Sequence, residues 1–441
     1  MKDFESKQRR TGYMIRTAHR EWNSGIRRRV AGAALALAIM LVPGLVATKS
    51  AQAQDAEQPW GGVARDAAGN LYGTATAGGK YGAGAVYELD KSGTETVLYS
   101  FKGTGGDGAV PSAGVVLDGA GNLYGTTNVG GNNGCNAGNG CGTVFKLAPT
   151  KTGWKETVLY RFKGTGGDGG DPNDAGVVLD AAGNLYGATN GGGRGGCAQN
   201  DGCGTVYKVA LTKTGWKETV LHRFKGTGGD GFEPNSGVVL DGEGNLYGTT
   251  VYGGGSNYGT VYELDKSGTE TVLYSFKGTG GDGAYPNGSV IRDAAGNLYG
   301  TTIEGGGYGN GTVFKLGKSG NETVLYRFTG GADGAQPVNS LVRDVKGNLY
   351  GSTFYGGDFA CNDLGCGVVF KVSTKGTETV LHTFTGKAGD DGAIPVCLPA
   401  LILDAAGNLY GTTYLGSANG EGTVFKLDDK SGNETILYAF Q

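Results

Sequence analysis

The string Gly-Asn-Leu-Tyr-Gly occurs seven times, at Gly69–Gly73, Gly121–Gly125, Gly183–Gly187, Gly244–Gly248, Gly296–Gly300, Gly347–Gly351 and Gly407–Gly411. Asp66, Asp118, Asp180, Asp241, Asp293, Asp344 and Asp404 open these copies, at spacings of 52, 62, 61, 52, 51 and 60 residues. Such self-similarity marks a repeat architecture, in which each unit buries its apolar face against its neighbours. It also bears on function, because a residue present in every copy is first of all part of the copy's construction.

Each copy holds four short apolar runs. In the second they are Gly114–Leu117, Leu123–Thr127, Thr143–Leu147 and Thr157–Phe162. Their length and their content of Val, Leu, Thr, Tyr and Phe predict strands. No stretch after residue 54 has the apolar spacing of an amphipathic helix. Asp-Ala-Ala-Gly-Asn and Asp-Lys-Ser-Gly supply the joints, with Asp capping the turn and Gly accepting a left-handed backbone. Each copy therefore reads as a four-stranded antiparallel meander. Seven of them predict an all-β, seven-bladed β-propeller rather than an open solenoid. Leu71 and Tyr72 are expected to address different neighbouring blades, because successive strand residues face opposite ways. Gly73 leaves room for an aromatic ring. Pro59, Pro111, Pro172, Pro234, Pro286, Pro337 and Pro395 open the seven units. The 90 glycines recur at the same turn positions, which argues against disorder.

Residues 1–53 differ from the rest. Arg27–Arg29 precede an apolar run from Val30 to Ala47, followed by Ala51-Gln52-Ala53. This is the pattern of a signal peptide, with cleavage expected after Ala53 and a domain of residues 54–441 remaining. An uncleaved anchor is the rival, but Pro43 interrupts a run barely long enough to span. Cys135/Cys141, Cys197/Cys203 and Cys361/Cys366 each lie between the second and third strands of one of the longer copies. Three local disulfides are expected, as in a secreted or periplasmic protein. Cys397 is left unpaired, in an apolar setting. Without residues 1–53 the chain has 28 basic and 38 acidic residues, a net charge of −10. That balance argues against nucleic acid and anionic lipid as partners.

The loops joining strands two to three, and those joining one copy to the next, should emerge on one face. Both kinds are elaborate, whereas the opposite face has tight turns. A ligand site is expected among the long loops. That face carries Asp107, Asp168, Asp230, Asp282, Asp333 and Asp391, one per linker. Asp-Gly turn chemistry is the first reading; an acidic ring for cations or sugar hydroxyls is the second. One linker adds Asp171 and Asp174 to Asp168, but the spacing does not match an EF-hand. No cofactor is expected, with calcium at this linker the alternative. Tyr81, Tyr258, Tyr308 and Tyr355 lie in or beside the inserts, where exposed aromatics would suit carbohydrate stacking.

No catalytic constellation stands out. His222 and His382 replace a Tyr of the fourth strand (compare Tyr99, Tyr160 and Tyr274) and read as packing residues. Paired carboxylates for glycoside hydrolysis stay open, because separation in space is invisible in sequence. Thr150–Gly169 and Thr212–Gly231 are nearly identical, which points to internal duplication and favours a scaffold.

Asp-Ala-Ala-Gly-Asn-Leu-Tyr-Gly-Thr-Thr (Asp293–Thr302), Gly-Thr-Val-Phe-Lys-Leu (Gly142–Leu147) and Glu-Thr-Val-Leu-Tyr-Arg-Phe (Glu156–Phe162) resemble the GloVer-type, choice-of-anchor tandem repeat family over roughly residues 59–441. The resemblance implies an exported bacterial protein, sometimes held at the surface by a C-terminal sorting signal. This chain shows no such signal before Gln441, so secretion or periplasmic residence is expected instead. The expected function is a non-enzymatic binding or scaffold module for a glycan or protein outside the cytoplasm. The alternative is a carbohydrate-active or lactone-cleaving enzyme using carboxylates on the long-loop face.

Overall fold

The computed structural model describes residues 55–441 apart from 133, 136–137, 173, 175, 195, 198–201, 360, 362–363, 387–390, 396–400 and 418. The expected signal segment and Cys397 lie outside the described residues. Seven antiparallel sheets follow one another along the chain and build a seven-bladed β-propeller. Blade one pairs Ala64–Arg65, Leu71–Ala75, Ala85–Leu89 and Glu95–Ser100 in chain order, from the innermost strand to the outermost. Blade seven does the same with Ile402–Leu403, Asn408–Gly416, Thr423–Asp428 and Glu434–Ala439. Among the described residues no helix is long and apolar enough to cross a membrane.

The repeated motif is one hydrogen-bond network. Asp118 Oδ1 accepts from the N–H groups of Ala120 and Asn122, both at 2.9 Å. Its Oδ2 accepts from Asn122 Nδ2 at 2.7 Å and from Tyr124 Oη at 3.0 Å. Gly121 sits in this turn at φ 78°. So Asp shapes the turn and also satisfies the phenol of the following strand, a buried polar group that needs a partner.

The core is not inside the blades but between them. Leu71 packs with Tyr410, Val424 and Phe440 of blade seven. Tyr72 packs with Leu123, Phe145 and Leu147 of blade two. The alternation expected of Leu and Tyr is thus the device that joins neighbours. At all seven seams the Phe just after the fourth strand meets the third-strand aromatic of the next blade edge-on, with centroids 5.0 to 5.4 Å apart. The glycine of Leu-Tyr-Gly makes space for that aromatic. A Cβ on Gly125 would lie 2.7 Å from Phe145 Cζ.

Two details depart from the sequence reading. The first strands are two residues long, since the chain soon turns away from the second strand. In blades two and three the outer hairpin is extended, to Thr143–Thr150 with Gly153–Arg161 and Thr205–Thr212 with Gly215–Arg223. The added rungs carry little apolar alternation and are held by backbone pairing, so pattern alone ends them early. In every blade the register of strands three and four shifts at one bulge, as between Val206 and Tyr207.

Linkers and inserts share a face, and several pair into short ladders, such as Gly108–Ala109 with Val129–Gly130. The three inserts with cysteine pairs are closed by Cys135–Cys141, Cys197–Cys203 and Cys361–Cys366.

Candidate functional site

The linker carboxylates lie on the long-loop face, and each is engaged by its own blade. Asp107, Asp168 and Asp282 accept from Tyr99, Tyr160 and Tyr274 Oη and from the N–H of Lys102, Lys163 and Lys277, at 2.8 to 3.0 Å. Asp333 accepts from Tyr326 Oη at 3.0 Å and the Thr329 N–H at 2.7 Å. Asp230 caps the Lys225 N–H at 2.7 Å. Asp391 takes the Thr385 N–H and Oγ1, both at 2.8 Å. These six therefore anchor loops at the outer strands rather than standing as one ring around the axis.

The residues just before the seven prolines form a different set. Gln58, Val110, Asp171, Glu233, Tyr285, Gln336 and Ile394 all have φ between 54° and 60°. A left-handed backbone is costly for a non-glycine residue, on the order of 1–3 kcal/mol, and unusual before Pro. Two backbone bonds hold each of Gln58, Val110, Asp171, Glu233, Tyr285 and Gln336. The Asp171 N–H donates to the Cys141 carbonyl of the preceding blade at 2.9 Å, and its carbonyl accepts from the Asn190 N–H at 3.0 Å. The linker thereby stitches consecutive blades at the rim and turns the next residues toward the axis.

Those next residues make the candidate site. Trp60 Nε1 donates to Asp174 Oδ1 at 2.9 Å, joining blade one to blade three. A bond between blades that are not neighbours can form only near the axis. Trp60 also meets Tyr414 of blade seven edge-on at 4.9 Å and Phe354 of blade six at 6.5 Å. On the other side Asn190 Nδ2 donates to Asn235 Oδ1, and Asn235 Nδ2 donates to Asn287 Oδ1, both at 2.9 Å. The channel mouth thus has an aromatic arc and an amide arc, with Asp174 between them. Burial pushes the Asp174 carboxyl up to about 7, against the pull of its bond from Trp60, and Asp171 nearby raises it further. Farther down the axis the blades abut backbone to backbone. Thr74 Oγ1 donates to the Ala113 carbonyl at 2.8 Å, and a Cβ on Gly61 would lie 2.6 Å from Gly114 N.

The four tyrosines fall into two pairs. Tyr81 and Tyr308 are exposed, at 49% and 62%. Tyr258 packs on Tyr285 at 5.4 Å, and Tyr355 packs on Phe354 at 5.1 Å. Tyr258 ends an aromatic run, since Phe232 stacks on Tyr252 at 5.3 Å and Tyr252 meets Tyr285 at 5.4 Å. Sequence reasoning missed Trp60, Asn190, Asn235, Asn287, Phe354 and Tyr414. A usable signal existed. Positions just after each Pro and just after Leu-Tyr-Gly-Thr-Thr change from copy to copy while their surroundings repeat. A separate cleft of about 370 Å³ lies beside the tight turns of blades six and seven, lined by Lys371, Thr377, Asp429 and Lys430 among others.

Among solved structures the fold is similar to a puromycin hydrolase, with a TM-score of 0.51 and 13% identity over 90% of this chain and 55% of that one. A puromycin-hydrolyzing peptidase of Mycobacterium tuberculosis gives a TM-score of 0.49 and 11% identity over 88% of this chain and 56% of that one. A candidate 6-phosphogluconolactonase from Bacteroides uniformis gives 0.48 and 15%, over 83% and 94%. This chain thus spans little more than half the length of the two hydrolases, and at these identities the likeness is one of fold. No curated protein matches it in sequence. The Gloeobacter/Verrucomicrobia repeat model matches residues 42–227, 194–397 and 282–441. With the seven repeats, the seams they build and those three overlapping matches, the chain belongs to the Gloeobacter/Verrucomicrobia repeat family.

Proposed function

We propose that this propeller is a non-enzymatic binding module, working outside the cytoplasm, whose channel mouth takes a glycan. The observation that carries the reading is the pairing of Trp60 with Asp174 across the axis, flanked by Phe354 and Tyr414 and by the Asn190–Asn235–Asn287 chain. Aromatic faces accept the apolar faces of sugar rings, while amides and a carboxyl match their hydroxyls. Three disulfides agree with an oxidising compartment. Many unrelated functions share propeller scaffolds, so the hydrolase and lactonase names of the fold neighbours do not transfer.

The test is a glycan array followed by calorimetry on the purified chain, with Trp60→Ala and Asn287→Ala as variants whose folding is checked by circular dichroism. Binding that both variants weaken at least tenfold supports the reading. Binding indifferent to them places the ligand elsewhere. A chain that binds no glycan directs the search to a protein partner. Turnover of a bound sugar would instead make the buried Asp174 a candidate acid and the module an enzyme.

A further inference from the structure

Six of the seven seams repeat a trio of side chains: the residue two before the Phe that follows the fourth strand, the linker Asp, and a fourth-strand Glu of the next blade. In most seams the first member is Tyr. Tyr274 Oη donates to Asp282 Oδ2 at 3.0 Å, for example, beside Glu322. In two seams it is His. The near-identical segments Thr150–Gly169 and Thr212–Gly231 differ at one position, Tyr160 against His222. The bulge in strands three and four lies next to this residue, where it re-aims the side chain.

The exchange puts an imidazole nitrogen without a hydrogen bond where other seams place a phenol that donates to the linker Asp, beside a Glu Oε1 that is unbonded at the Tyr seams as well. His222 Nε2 stands 3.9 Å from Asp230 Oδ1, and His382 Nε2 stands 3.6 Å from both Asp391 Oδ2 and Glu434 Oε2. Among the described residues, His222/Asp230/Glu270 and His382/Asp391/Glu434 each bring one ligand atom apiece within 4.8 Å of one another. His222 Nε2, Asp230 Oδ1, Glu270 Oε1, His382 Nε2 and Glu434 Oε1 are buried and make no hydrogen bond. The Asp391 and Glu434 side chains are 8% and 9% exposed. Such orphaned groups are costly and call for a partner.

A protonated histidine bonded to a carboxylate would close to about 2.7–2.9 Å. Two ligands at about 2.0–2.2 Å from one tetrahedral ion stand about 3.4 Å apart, nearer to the distances seen. One neutral imidazole and two carboxylates also balance a divalent charge. The donor set of nitrogen and oxygen suits zinc and its first-row neighbours, whereas calcium asks for six to eight oxygens. Backbone groups already orient the carboxylates. Asp230 Oδ2 takes the Lys225 N–H and leaves Oδ1 facing His222, while Thr385 and Gly386 hold Asp391.

The geometry points to two sites for a zinc-class divalent ion, His222/Asp230/Glu270 between blades three and four and His382/Asp391/Glu434 between blades six and seven, each completed by water. Bound ions would fasten two of the seven seams. The inference is independent of the channel mouth, because neither Trp60 nor Asp174 takes part.

Equilibrium dialysis of the untagged, metal-stripped, oxidised chain against micromolar Zn²⁺ tests it. Two ions per chain are expected, one in His222→Tyr, one in His382→Tyr and none in the double variant. Tyr is the residue that other seams use, so the double variant should keep the melting temperature of the metal-free chain. If it does not fold, Glu270→Gln with Glu434→Gln must abolish zinc binding in its place. A wild-type chain that binds no zinc, or a stoichiometry that these substitutions leave unchanged, overturns the inference.

Discussion

Phe440 meets Tyr87 edge-on, with ring centroids 5.2 Å apart, and so joins the seventh blade to the first. Among the described residues no strand is exchanged to do this, since the four main strands of each blade follow one another in the chain. Closure repeats the aromatic contact of the other seams, supported by the Gln58 N–H donating to the Glu421 carbonyl at 3.1 Å. Phe440 is fully buried. Phe440→Ala is expected to cost about 3–5 kcal/mol, as for other buried Phe truncations. Urea unfolding would measure it, with Phe276→Ala at an internal seam as the comparison. A closing seam that loses less than about 1 kcal/mol would show that the ring holds without it.

Tyr262 carries a hydroxyl that is buried without a hydrogen bond, at a position where Phe145, Phe314 and Phe370 stand in other blades. Tyr262→Phe should therefore stabilise the chain by about 1 kcal/mol, because an unsatisfied buried group is removed and the ring stays. The melting temperature should rise. A fall would mean that the hydroxyl has a partner, such as a buried water.

Gly125→Ala tests the space that the repeat reserves for its aromatic. The new Cβ would lie 2.7 Å from Phe145 Cζ, and the ring, fully buried, has little room to retreat. The expected cost is about 1–3 kcal/mol, as for other overpacked cores. Phe145→Leu in the same chain should recover part of it, which a double-mutant cycle would read as coupling. Strict additivity would remove the steric explanation.

The chain should be more stable in mild acid than at neutral pH. Burial pushes Glu95, Glu156, Glu218, Glu322 and Glu378 up from 4.5 to about 7, helped by Asp55, Asp107, Asp168, Asp282 and Asp333 respectively. A raised carboxyl contributes stability that is present in full below 4.5 and lost as pH rises through about 7. The turn aspartates act the other way. Asp118 pays a desolvation cost, yet bonds from Asn122, Ala120 and Tyr124 hold it below 3.8, so its contribution exists above that value and fades in stronger acid. The melting temperature of the metal-free chain should accordingly fall between pH 4.5 and about 7. A rise across that window would contradict the assignment.

Strand chemistry, turn chemistry and the Leu-Tyr alternation were legible because they are local and recur seven times. The face bearing the long loops was legible for the same reason, since loop length is a property of text. Hairpin extension past Leu147 was not, because backbone pairing there has no side-chain pattern. The linker aspartates showed which face to examine, but their partners, such as Tyr99 and Lys102, were visible only in space.

Local chemistry repeated in the sequence by itself determined seven blades, their turns and the residues that would pack between neighbours. The tertiary structure alone decided what stands at the axis and inside the seams. Trp60 and Asp174 are 114 residues apart and meet because the ring closes. His222 reads as a packing residue and does pack on Phe224 at 4.8 Å, but Glu270 joins it from the next blade. Such contacts depend on how blades are turned against one another, which no single repeat encodes.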